Sequence, residues 1–209
     1  MISSRLRHLF PAEHGATAIW LYSTLAGILS PNEPISALGL VVAVAASTIV
    51  YFAAALFVRA LKLSRYMRNN MLVLAVGSAS LTLFMLLNHY ILVGVVDSRA
   101  LAIWLLLLSY TVAATLSARV RVRNLLFNTR RFDLPILVGA SVLISECILL
   151  TLSSLLSYTA LFSVTALFLP ALINWLTRGG GGGRSSRIKI IGISYMLTGM
   201  VFVAFISRS

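Results

Sequence analysis

Glu13 and His14 stand side by side in PAEHGATAIW, at the mouth of an apolar run that meets no further charge before Glu33. A carboxylate beside an imidazole can orient the ring and favour its protonated form near neutral pH, so the pair could move a proton or bind a cation. A plainer account covers part of the stretch. Pro11 suits a first helical turn, where its missing N–H has no intrahelical partner to lose. Glu13 then sits where the helix dipole favours negative charge. His14 has no such account. Neighbouring helical residues point about 100° apart, so both side chains border one pocket only where it wraps the helix end.

Glu146 is the second candidate. It lies about thirteen residues into an apolar run, roughly 20 Å along a helix, and an intramembrane carboxyl is a functional-site hypothesis by default. Tyr22, Ser23, Thr24, Ser47, Thr48, Tyr110, Thr111 and Thr198 fall near the same depth. Such a polar belt could pass a proton or receive a quinone or isoprenoid head. It could equally be a neutral acid bonded between helices.

A third set is basic: Arg65 and Tyr66 in LKLSRYMRNN, and Arg119, Arg123 and Asn124 in ARVRVRNLLFNTRRFD. Arginines at a pocket edge suit a phosphate or carboxylate headgroup. Metal chemistry is not expected. Of the three histidines, His14 and His89 belong to opposite ends of the bundle, about 28 Å apart by helix rise, and no further ligands are supplied. A Mg²⁺-dependent prenyl transferase needs several carboxylates on one face. The Arg-rich side offers only Glu13 and Asp133, without a DxxxD pair. No cofactor is expected, and the enzyme question is left open, leaning against.

The elements that must hold these groups follow from composition. The chain has 209 residues, of which 59% are hydrophobic and 11% charged, with a mean hydropathy of +0.97. A soluble domain carries about a quarter charged residues, so the fold class is an all-α integral membrane protein. Seven apolar segments near 12–30, 35–58, 70–91, 100–118, 133–153, 155–176 and 188–207 each approach the ~20 residues of a membrane crossing. They form one polytopic domain, 1–209. The five-glycine run lies in a flexible connector, 178–187; a phosphate-binding loop is disfavoured because no GK[ST] follows. Of the 17 basic residues only Arg99 and Arg208 fall on one side of this arrangement. The positive-inside rule then places the N-terminus in the cytoplasm and the C-terminus outside. Topology thus explains the net charge of +12 without nucleic acid, and the expected location is the cell membrane. Cys147 is the lone cysteine, so no intrachain disulfide can form. The first apolar run lacks a clear cleavage pattern and is expected to stay as a helix.

PAEHGATAIW resembles the N-terminal signature of the YwiC-like family of prokaryotic multipass membrane proteins. The matching positions are Pro11, Glu13, His14, Gly15, Ala16 and Ala18, with Thr17 where the family usually has tryptophan. The basic, tyrosine-containing LKLSRYMRNN and the later RVRNLLFNTRRF are similar to the family's layout. The resemblance implies a multipass helical protein and no particular reaction.

The expected function is a cytoplasmic-facing pocket lined by Glu13, His14, Arg65, Tyr66, Arg119, Arg123 and Asn124. Its partners would be the lipid bilayer and an anionic lipid, isoprenoid or quinone-like ligand. Two alternatives stay open: a small transporter or proton pathway using Glu146, and an accessory subunit of a respiratory membrane assembly.

Overall fold

The computed structural model describes residues 14–31, 34–60, 71–127, 133–176 and 184–208. All regular structure among them is helical: α1 His14–Leu29, α2 Ala37–Ala60, α3 Met71–Val93, α4 Ser98–Phe127, α5 Leu134–Leu152, α6 Ala160–Ser163, α7 Thr165–Leu176 and α8 Arg184–Ile206. Five of these helices, α2, α3, α4, α5 and α8, are long and apolar enough to cross a membrane. The apolar stretches of α1 and of the α6–α7 pair are shorter. Each expected apolar segment has its helical counterpart.

Two boundaries differ from the sequence reading in ways that matter. The fourth segment does not end near 118; α4 runs on to Phe127, so 119–127 is helix rather than loop. No glycine or proline interrupts that stretch, and arginine is a good helix former whose head can remain in water. The sixth segment is broken. A turn over 153–159, with Ser154 at φ 59°, leads into α6, and i→i+3 bonds at Val164 and Leu167 interrupt the ladder before α7. Ser163 and Thr165 add to this by returning their hydroxyls to the carbonyls of Ala160 and Phe162. Pro170 lies inside α7.

α4 is the central strut, packed against α1, α3, α5 and α8. Tyr110, Ile103, Leu106 and Leu107 on α4, Leu143 on α5, Leu167 on α7 and Phe202 and Ile206 on α8 are fully buried. Tyr110 stacks on Phe202 with ring centroids 4.1 Å apart. Small residues set the closest approaches: a Cβ on Gly27 would strike the carbonyl of Met85, and one on Gly139 would strike Ala113. Backbones in contact gain dispersion energy that lipid cannot supply as well. α2 sits at the rim against α3, with Leu38, Val41 and Ile49 turned outward.

Candidate functional site

The face of α4 away from α1 and α8 meets α5 along a groove of about 420 Å³. α4 contributes Leu108, Ser109, Val112, Ala113 and Leu116; α5 contributes Leu134, Pro135, Val138, Gly139 and Val142. Its floor is shallow where Gly139 rides on Ala113. Its outer wall is open, with Leu134 59% and Val138 54% exposed. Among the described residues Ser109 is the only polar side chain in the lining.

At its inner end the groove is lined by Ser109, which reaches Glu146 behind it. Ser109 donates its hydroxyl proton to Glu146 Oε1 at 2.7 Å. Oε2 is enclosed and has no hydrogen-bond partner among the described residues. Glu146 is therefore tied to α4 by one oxygen, with the other left over.

At its opposite end the groove is bounded by Leu116 and Leu134, about one turn short of the arginines of α4. At 100° per residue, Val112, Leu116, Arg119 and Arg123 fall within a sector of about 60°. The stripe that lines the groove thus continues directly into Arg119 and Arg123. Arg123 is exposed and Arg119 half-buried. From Ser109 to Arg119 the helix rises about 15 Å.

Arg121 lies about 160° away from both and turns inward. Its Nε donates to Asp133 Oδ2 at 2.8 Å. Ser117 also donates to that oxygen, at 2.6 Å. A hydroxyl has one proton, so in its 2.7 Å contact with Tyr195 Ser117 accepts and the tyrosine donates. The chain Tyr195→Ser117→Asp133←Arg121 joins α8, α4 and the start of α5, with the guanidinium 6.0 Å from the Tyr195 ring centroid. From sequence Asp133 stands out only as a carboxylate on the Arg-rich side, and Tyr195, Ser117 and Arg121 are not singled out. The signal was present only as Ser117 and Arg121 at i, i+4, which counts once 119–127 is helical.

The expected pocket is reached only in part. Glu13, Arg65 and Tyr66 lie outside the described residues, and for His14 only its place at the start of α1 is described. Tyr22 on α1 donates to Thr111 on α4 at 3.2 Å. From that pair His14 and Arg119 each lie about 12 Å toward the same end. Arg119 and Arg123, however, share the α5 side of α4, whereas Thr111 marks the α1 side. Asn124, half-buried, is about 100° from Arg123. Arg119 and Arg123 therefore share the face of α4 that lines the groove, although neither is among its lining residues.

The hydroxyl belt resolves into discrete pairs: Tyr22 with Thr111, and Tyr110 with Thr198 at 3.1 Å. Ser47 donates to Asn88 at 2.7 Å, whereas Thr48 bonds the carbonyl of Val44 in its own helix. A further cluster, missed in the sequence, closes the far end. Ser30 gives its proton to the carbonyl of Gly27 and accepts from His89 Nδ1 at 2.7 Å. His89 Nε2 faces Asp97 across 3.9 Å. Arg99 donates to the carbonyls of Ser30 and Ser207, capping the ends of α1 and α8. Among the described residues no group of three or more His, Cys, Asp or Glu side chains could hold a metal ion.

Compared with known proteins, the chain matches no family model, no curated sequence and no solved structure.

Proposed function

We propose that this chain is a seven-crossing protein of the cell membrane, N-terminus cytoplasmic and C-terminus external, that binds an anionic lipid of the cytoplasmic leaflet in the α4–α5 groove. The observation that carries the reading is the continuity of one α4 stripe: apolar and groove-lining at Val112 and Leu116, cationic at Arg119 and Arg123. A hydrocarbon chain fits the first part and an anionic headgroup the second. The rise of about 15 Å between Ser109 and Arg119 equals half the hydrocarbon core, the reach of one leaflet. The open outer wall lets such a chain enter sideways from the bilayer. The charge bias of the loops supports the orientation, and PAEHGATAIW supports a YwiC-like relationship.

The test is mass spectrometry of lipids that stay with the purified protein. Wild type should retain anionic phospholipid, and the double variant Arg119→Gln, Arg123→Gln should lose most of it while keeping its fold. A prenyl phosphate in its place would change the ligand's identity. Equal retention of the same lipids by both proteins would remove the arginines from the site and sink the reading.

A further inference from the structure

Glu146 is joined to this groove through the lining residue Ser109, in surroundings that offset a negative charge poorly. Ser109 supplies one hydrogen bond, to Oε1, and Oε2 is enclosed without a partner among the described residues. Few groups on the surrounding helices could help. Beside it on α5, Cys147 is buried with its thiol on the carbonyl of Ala160 at 3.5 Å. On α4, Tyr110 is buried and gives its proton to Thr198. Arg99 and Arg119 lie about 15 Å from the level of Ser109 in either direction, with Arg121 and Arg123 beyond. α6 and α7 carry no titratable residue.

A charged Glu146 would therefore need water at Ser109, entering along the groove from the end nearest Arg119 rather than through the wall open to lipid. A hydrocarbon chain lying against Ser109 and Val142 would displace that water. Desolvation penalises the charged form of a carboxyl and leaves the neutral form nearly untouched. We propose that occupation of the groove and protonation of Glu146 are coupled: lipid binding takes up one proton at Glu146, and lipid release returns it. The coupling rests on the groove being the lipid site. Because linkage is reciprocal, the same coupling makes lipid affinity rise as pH falls, approaching tenfold per pH unit where a full proton is exchanged. The gain disappears below the range in which the lipid-free protein holds Glu146 charged.

The experiment is calorimetric titration of the delipidated full-length protein in neutral detergent with short-chain phosphatidylglycerol, whose phosphodiester keeps its charge throughout. Repeating it in buffers of different ionisation heat counts the protons. Wild type should bind more tightly at lower pH, up to about tenfold per unit, with close to one proton taken up. Glu146→Gln should bind with pH-independent affinity and no proton. Glu146→Asp, which keeps a titrating carboxyl, should retain the slope. Arg119→Gln with Arg123→Gln should bind more weakly at every pH while keeping it. A wild type that binds with no slope and no proton uptake, or a Glu146→Gln protein that keeps both, overturns the coupling and leaves the groove standing. A wild type that does not bind this lipid at any pH overturns the groove itself.

Discussion

α4 carries two polar faces that the same helix treats in opposite ways. On the inward face Tyr110, Thr111, Ser117 and Arg121 each meet a partner on another element: Thr198, Tyr22, the Asp133–Tyr195 pair and Asp133. On the outward face Ser109 leads to a carboxyl with one oxygen left over, and the stripe ends in Arg119 and Arg123. Buried polar groups that are satisfied hold a bundle together, whereas an enclosed carboxyl oxygen left over, as on Glu146, persists where something else uses it. On the function proposed above, the inward face is structure and the outward face a site. Each substitution below should behave according to its face.

The largest effect is expected at Asp133, the hinge of the inward network. Asp133→Ala would strand Arg121 and Ser117 together, and losing one partner of an enclosed pair leaves the other charge uncompensated. Asp133 and Arg121 are each about one-fifth exposed, which discounts the penalty to roughly 2 kcal/mol. Unfolding in mixed micelles would measure it. A change under about 0.5 kcal/mol, the surface range, would erase the distinction between the faces.

Next comes Gly139, which both packs against α4 and lines the groove. A valine there must push α4 and α5 apart at Ala113, an overpacking cost of about 1–3 kcal/mol. It should also deepen or split the groove and so change which lipids remain bound. Retention of the wild-type lipid profile in a destabilised Gly139→Val protein would separate packing from binding. Tyr195→Phe is milder. It removes one donated hydrogen bond to Ser117 and should destabilise by about 1 kcal/mol without altering bound lipid.

The sequence carried the helices but little of this division. The apolar segments stand out because each is long, nearly uncharged and met by arginines at one end, though only serines separate the fifth from the sixth, and Glu146 stands out because a carboxyl inside such a run is expensive. What hid the inward network was the pattern RVRVR. Its alternation shows no helical period, so 119–127 reads as loop and the opposition of Arg121 to Arg119 and Arg123 cannot be seen. Asp133 sits past a further turn, and its partnership with Ser117, Arg121 and Tyr195 depends on how three elements cross. The Ser30–His89 contact likewise joins residues 59 apart in sequence. Such pairings are set by helix packing, and no spacing within one segment encodes them.

The smallest stability effect, and the sharpest test of the comparison, is expected at Arg123. It is exposed at the end of the outward stripe, so Arg123→Gln should leave stability within about 0.5 kcal/mol of wild type. An exposed cation contributes little to folding but can anchor a headgroup through charge-assisted hydrogen bonds. Binding of short-chain phosphatidylglycerol should therefore weaken severalfold, and more steeply in low salt than in high, because the lost interaction is screened. The matched inward change, Arg121→Gln, should do the reverse: it should destabilise the protein, since it leaves Asp133 without its guanidinium, and barely alter lipid affinity in the protein that remains folded. The two arginines differ by two positions in sequence and by about 160° on the helix. If both variants lose stability alike, or both lose lipid alike, then position around α4 does not divide structure from function.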